Sequence, residues 1–110
     1  MIEDTVGKIE DAVRHLSSIS DERRDEITAL LGQLKSEVVD LSETETEMAE
    51  SVTRFAELSA YEATRQGRNP QLQEISLDGL AKSVDGFEVT HPRLVKTVNS
   101  LCTMLANLGI

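Results

Sequence analysis

Glu88 and His91 are the residues whose types and spacing come nearest to chemistry. A Glu-x-x-His pair on a helix sets a carboxylate and an imidazole on one face, the arrangement with which helical bundles hold paired iron or manganese ions. Such a centre needs two of these pairs and two further glutamates. The chain has one pair, followed at once by Pro92, which biases His91 away from helical geometry. A metal centre would therefore have to form between subunits, with Glu88 and His91 of two copies meeting at a symmetry axis. The favoured reading is a His-Pro helix start in which the imidazole or the Thr90 hydroxyl caps the first turn.

The remaining chemistry-bearing side chains read more simply still. Cys102 stands beside the apolar positions Val98 and Leu105, which suggests a buried structural thiol; a nucleophile would need a base and an electropositive setting. His15 follows Asp11 by four residues, close enough to interact across one helical turn. Glu43, Glu45, Glu47 and Glu50 could gather cations, yet no calcium-loop spacing or turn glycine accompanies them, so a solvated helix face is expected. The sequence has no phosphate-binding glycine loop, no dinucleotide fingerprint and no Cys-x-x-Cys pair, and it has only two histidines and one cysteine. No catalytic residue and no cofactor is expected, and the chain reads as a non-enzyme.

The elements that would position these residues are helical. Ile2, Val6, Ile9, Val13 and Leu16 alternate spacings of four and three, predicting a first helix over about 2–18. Ser20 with Asp21 and Glu22 offers a cap and first-turn charge for a second helix, antiparallel to the first. Its seam, Ile27, Leu31, Leu34, Val38 and Leu41, continues in register through Glu45, Met48, Val52 and Phe55, which favours one helix over about 21–65, roughly 68 Å long. The competing reading breaks this helix at Ser42–Glu47, where six polar residues interrupt the seam and Ser42 with Glu45 could form a capping box.

Gly67, Asn69 and Pro70 mark a loop over 66–75. Ser76 is read as the cap of a third helix over about 76–88, with Ile75 as a hydrophobic staple onto Leu80. Pro92 opens a fourth, to about 108, with Leu94, Val98, Leu101 and Leu105 on its apolar face and Gly109 closing it in a left-handed turn. The expectation is one all-α domain over 1–110, an antiparallel helical hairpin with one long helix plus two shorter C-terminal helices, packed as an oligomeric bundle.

Charge limits the partners. Of the net −9, residues 1–66 carry 16 acids against 7 bases, whereas residues 67–110 are balanced at 4 against 4. A surface of this sign repels phosphate backbones and anionic lipid, so neither nucleic acid nor membrane is expected as a partner. A lone cysteine and the absence of any secretory or membrane-spanning apolar stretch point to the cytoplasm.

From about Ala49 onward the chain resembles a family of short bacterial helical proteins known only as a domain of unknown function. The resemblance rests on the Phe-Glu-x-x-His-Pro-x-Leu element, here Phe87, Glu88, His91, Pro92 and Leu94. It rests also on the ending Leu-x-Asn-Leu-Gly-Ile, here Leu105, Asn107, Leu108, Gly109 and Ile110. It implies a mostly helical bacterial cytoplasmic protein and brings no activity or cofactor.

Together these readings lead to an interaction protein. An unbroken second helix would outreach its neighbours and leave Met48, Val52 and Phe55 in need of cover, from a second copy in a homodimer or from a protein with an apolar centre and a basic rim. A metal-binding bundle formed at an oligomer interface, and an acidic decoy of a basic nucleic-acid-binding protein, are the two other possibilities.

Overall fold

The computed structural model describes residues 2–15 and 19–108. Among the described residues there are five helices and no strand: α1 (Ile2–Arg14), α2 (Asp21–Ser42), α3 (Thr46–Thr64), α4 (Pro70–Ser83) and α5 (Pro92–Asn107). The all-α expectation holds, but the long second helix does not. The chain breaks over Glu43–Glu45 and folds back, and the molecule's longest dimension is 38 Å, well short of the roughly 68 Å an unbroken helix would need.

The break has a local cause and a tertiary one. At the end of α2 the bonding tightens, Glu43 N–H donating to Asp40 O and Thr44 N–H to Leu41 O, and Glu45 then leaves helical geometry at φ −135° and ψ 67°. The Thr46 hydroxyl donates to the Ser42 carbonyl at 3.0 Å, satisfying a group that the terminated helix leaves open. No capping box forms: the Ser42 hydroxyl donates to Val39 O, and Glu45 contributes no side-chain cap. The tertiary gain is that α3 lays Ala49, Val52, Ala56, Ala60 and Ala63 into the same core as Ile27, Leu31, Leu34, Val38 and Leu41 of α2.

α3 is the hub. It packs against α1, α2, α4 and α5, and most of its buried residues are small: Ala49, Ala56, Ser59, Ala60 and Ala63. Small side chains let several helix backbones come close to one, while the bulk of the core comes from the leucines of α2 and α5 and from Val6, Ile9 and Val13 of α1. The first helix stops at Arg14; its expected extension falls partly on residues 16–18, outside the described residues.

The C-terminal half starts earlier than its sequence suggested. Asn69, not Ser76, caps α4, its side-chain oxygen accepting from Gln71 N–H and Leu72 N–H, with Pro70 in the first turn. Ser76 lies inside the helix, buried, and Ile75 is exposed and forms no staple. The two ends of the α4–α5 pair are tied by side chains. Gln73 donates to Leu105 O at 3.1 Å, a carbonyl that also accepts from Leu108 N–H, and Arg68 donates to Leu108 O at 2.7 Å, just past the end of α5. The closing turn expected at Gly109 and Ile110 lies outside the described residues.

Candidate functional site

Glu88 and His91 sit in the turn between α4 and α5 and not on a shared helix face. Gly86 adopts φ +94°, a conformation that a side chain would strain, and its N–H donates to Glu88 Oε2 at 2.8 Å. His91 N–H donates to Phe87 O at 2.8 Å, and the His91 imidazole meets the Phe87 ring edge-on at 5.7 Å between centroids. The imidazole Nε2 lies 4.0 Å from Asp40 Oδ2, so the turn leans on α2. His91 is the N-cap residue of α5, but contrary to expectation its imidazole makes no capping hydrogen bond: His91 Nδ1 faces the Thr90 hydroxyl at 3.0 Å. The Glu-x-x-His element thus folds a turn, and among the described residues no three His, Cys, Asp or Glu side chains are grouped to hold a metal.

Cys102 is half-buried, with its thiol 3.7 Å from Leu77 O, and burial pushes its pKa up to about 11. At pH 8 alkylation by iodoacetamide is expected to run about 100-fold slower than for a free thiol, since each unit above the ordinary value removes about tenfold of the thiolate. Rates should match once the protein is unfolded in urea. His15 does interact with Asp11, but through the backbone: its Nδ1 lies 2.6 Å from the Asp11 carbonyl. Of the acidic run, Glu43, Glu45, Glu47 and Glu50 are all exposed.

The three residues expected to need cover separate. Val52 is fully buried within the chain and Met48 is partly buried against the same core, while Phe55 remains 38% exposed. The fold-back places Phe55 at the seam between α3 and α4. A Cβ on Gly79 would stand 2.5 Å from the Phe55 ring, so glycine in the middle of α4 is what lets the ring lie there.

Around Phe55 the structure assembles an apolar face that the sequence did not disclose. Leu58 and Tyr61 follow it on α3, and Leu72 and Ile75 stand on α4; all five are exposed, Ile75 to 65%. The helices run antiparallel in a register fixed by the Ser59 hydroxyl donating to Ser76 O at 2.9 Å and by Phe55 against Gly79. In that register Leu58 and Ile75 each precede a bonded serine by one residue, so both flank the seam on its outer side. A groove of about 380 Å³ between α1 and α3, lined in part by Ile9, Ala12, Leu58 and Tyr61, adjoins the same face. Exposed carboxylates at Glu50, Glu74 and Asp78 stand on the same two helices.

Fold and site together define an all-α bundle with an uncovered apolar face on its third and fourth helices. The chain belongs to the family described as Domain of unknown function (DUF4404), whose model matches residues 27–110. That span takes in most of α2 and all of α3, α4 and α5, hence the whole of the α3–α4 face and the His91 turn. No curated protein matches the chain, and no solved structure does. No helix among the described residues is long and apolar enough to cross a membrane.

Proposed function

We propose that this protein is a non-enzymatic interaction module whose α3–α4 face docks a helix of another protein, one with an apolar centre and a basic rim. The observation that carries this reading is the outward exposure of Phe55, Leu58, Leu72 and Ile75 along one helix pair, where large apolar side chains gain nothing from water. Paired helices with an apolar seam are a familiar receptor for an amphipathic helix. The net charge of −9 favours a basic partner over a second copy of the same acidic chain. Self-association drew its motive from an unbroken second helix; with that helix folded back, Val52 needs no outside cover.

Two measurements test the proposal. Light scattering of the untagged protein is expected to give 12.1 kDa at low and high salt and at every concentration. A salt-resistant dimer that Ile75→Asp dissociates would make a second copy the occupant. A partner captured from the source cells is expected to cross-link to Lys82, on α4 beside this face, in preference to Lys35 of α2 or Lys96 of α5, and to be lost with Ile75→Asp. A partner that persists in that variant and cross-links elsewhere would defeat the proposal.

A further inference from the structure

Glu62 is 5% exposed, far below what a carboxylate ordinarily tolerates without a full set of partners. It follows Leu58 by four residues and Phe55 by seven, so it lies on the stripe of α3 that carries the exposed face. The α3–α4 register sets it toward the Leu72 end of that stripe.

Its hydrogen bonding is incomplete. Among the described residues Oε1 is buried and accepts no hydrogen bond; the nearest charge is Arg65 Nη1 at 3.4 Å, an ion-pair distance without hydrogen-bond geometry. Arg65 is committed elsewhere. Its Nε donates to Gly67 O at 2.9 Å, and its guanidinium lies 5.8 Å from the Tyr61 ring centroid. A buried carboxylate oxygen with no donor destabilises the free protein, and a glutamine or methionine in its place would not carry that charge.

We infer that Glu62 determines the specificity of the docking face, its buried carboxylate accepting a charge-assisted hydrogen bond from a lysine or arginine of the docked helix. The inference rests on the docking proposal. The apolar face supplies contact area to any amphipathic helix, whereas a charged donor for Glu62 comes only with a cation at one position of the partner. Arg65, about one-third exposed and anchored on Tyr61 and Gly67, is the cover that such a cation displaces. A partner helix with an apolar or acidic side chain at that position would seal the orphan oxygen away from water with nothing to bond it, and a neutral amide there would donate only a weaker hydrogen bond with no charge to assist it.

Two readouts test this. In the free protein, Glu62→Gln is expected to melt at the wild-type temperature or a few degrees above; a fall of more than about 5 °C would mean that the fold itself uses the charge, and would overturn the inference. For binding, the probes are two fluorescein-labelled 14-residue helices, both with leucines on one face, one flanked by lysines and the other by glutamines. Wild type is expected to prefer the lysine peptide, and Glu62→Gln to lose about tenfold of that preference. If Glu62→Gln keeps the full preference while Ile75→Asp abolishes binding, the role of Glu62 is wrong and the docking face stands. If Ile75→Asp binds as wild type does, or if neither peptide binds the wild type, the docking proposal fails and this inference with it. Ile75 is 65% exposed, so its replacement leaves the core intact.

Discussion

Val52→Asp is expected to unfold the protein. Val52 is 0% exposed and packs in the core that α3 shares with α2, so an aspartate there brings a carboxylate with no partner into an apolar interior. Leaving such a charge buried and unpaired costs about 3–5 kcal/mol, much of the stability a domain of this size possesses. Urea titration followed by helical circular dichroism should show a collapsed midpoint or no folded baseline at 25 °C. Glu50→Lys, two residues earlier on the exposed side of the same helix, should stay within about 0.5 kcal/mol of wild type. The contrast separates two architectures. Were α2 and α3 one helix whose Met48, Val52 and Phe55 seam met a second subunit, Val52→Asp would yield a folded, fully helical monomer. A folded variant with unchanged ellipticity would therefore mean that the fold-back at Glu43–Glu45 is wrong.

The residues that make this contrast possible also show what the sequence could and could not convey. The seams of α2 and α5 were legible because their core positions are large and aliphatic: Ile27, Leu31, Leu34, Val38 and Leu41, then Leu94, Val98, Leu101 and Leu105, are all buried as their spacing predicts. α3 is hard to read because its core face is written largely in alanine and serine, which carry little hydrophobic signal. The register of α2, extrapolated through the break, selected Phe55 where the folded helix buries Ala56. Thr44 and Glu45 ended a helix with neither glycine nor proline, so the stop lies in tertiary burial and weak local propensity and not in any turn signature.

The candidate face was less legible still. Leu72 and Ile75 fall in a stretch where Gly67, Asn69 and Pro70 signal a loop, yet Asn before Pro is equally the start of a helix. Nothing in the sequence sets Glu62 apart from the other acids, and only the packing of α3 against its neighbours distinguishes it from exposed Glu50. Conversely, Glu88 and His91 had the most suggestive spacing and prove to build a turn, since Pro92 denies them the helix that would aim both side chains at one point. Chemistry read from spacing presumes a secondary structure; here the sequence itself, through Pro92, argued against the one required.

A second large effect follows from how the core divides between bulky and small surfaces. Leu34 lies midway along α2, 0% exposed, in a helix packed against α1, α3 and α5. Leu34→Ala removes three carbons from a site whose surroundings cannot readily close. Most buried residues of the hub helix α3 are alanines and serine, short side chains that cannot swing into a void, and α2 is also held by α1 and α5. The cost is expected in the upper part of the range for such truncations, about 3–4 kcal/mol, seen as a lower urea midpoint at unchanged slope and a fall in melting temperature of more than about 10 °C. Ile75→Ala, which removes comparable bulk from a residue 65% exposed, is expected to change stability by less than about 0.5 kcal/mol. That pair of results would place the two kinds of aliphatic residue in this chain on separate footings: those of α2 hold the fold, and those of the α3–α4 face contribute almost nothing to it. A cost for Ile75→Ala approaching that of Leu34→Ala would mean that Ile75 is covered within the molecule, and the docking face would lose the exposure on which it rests.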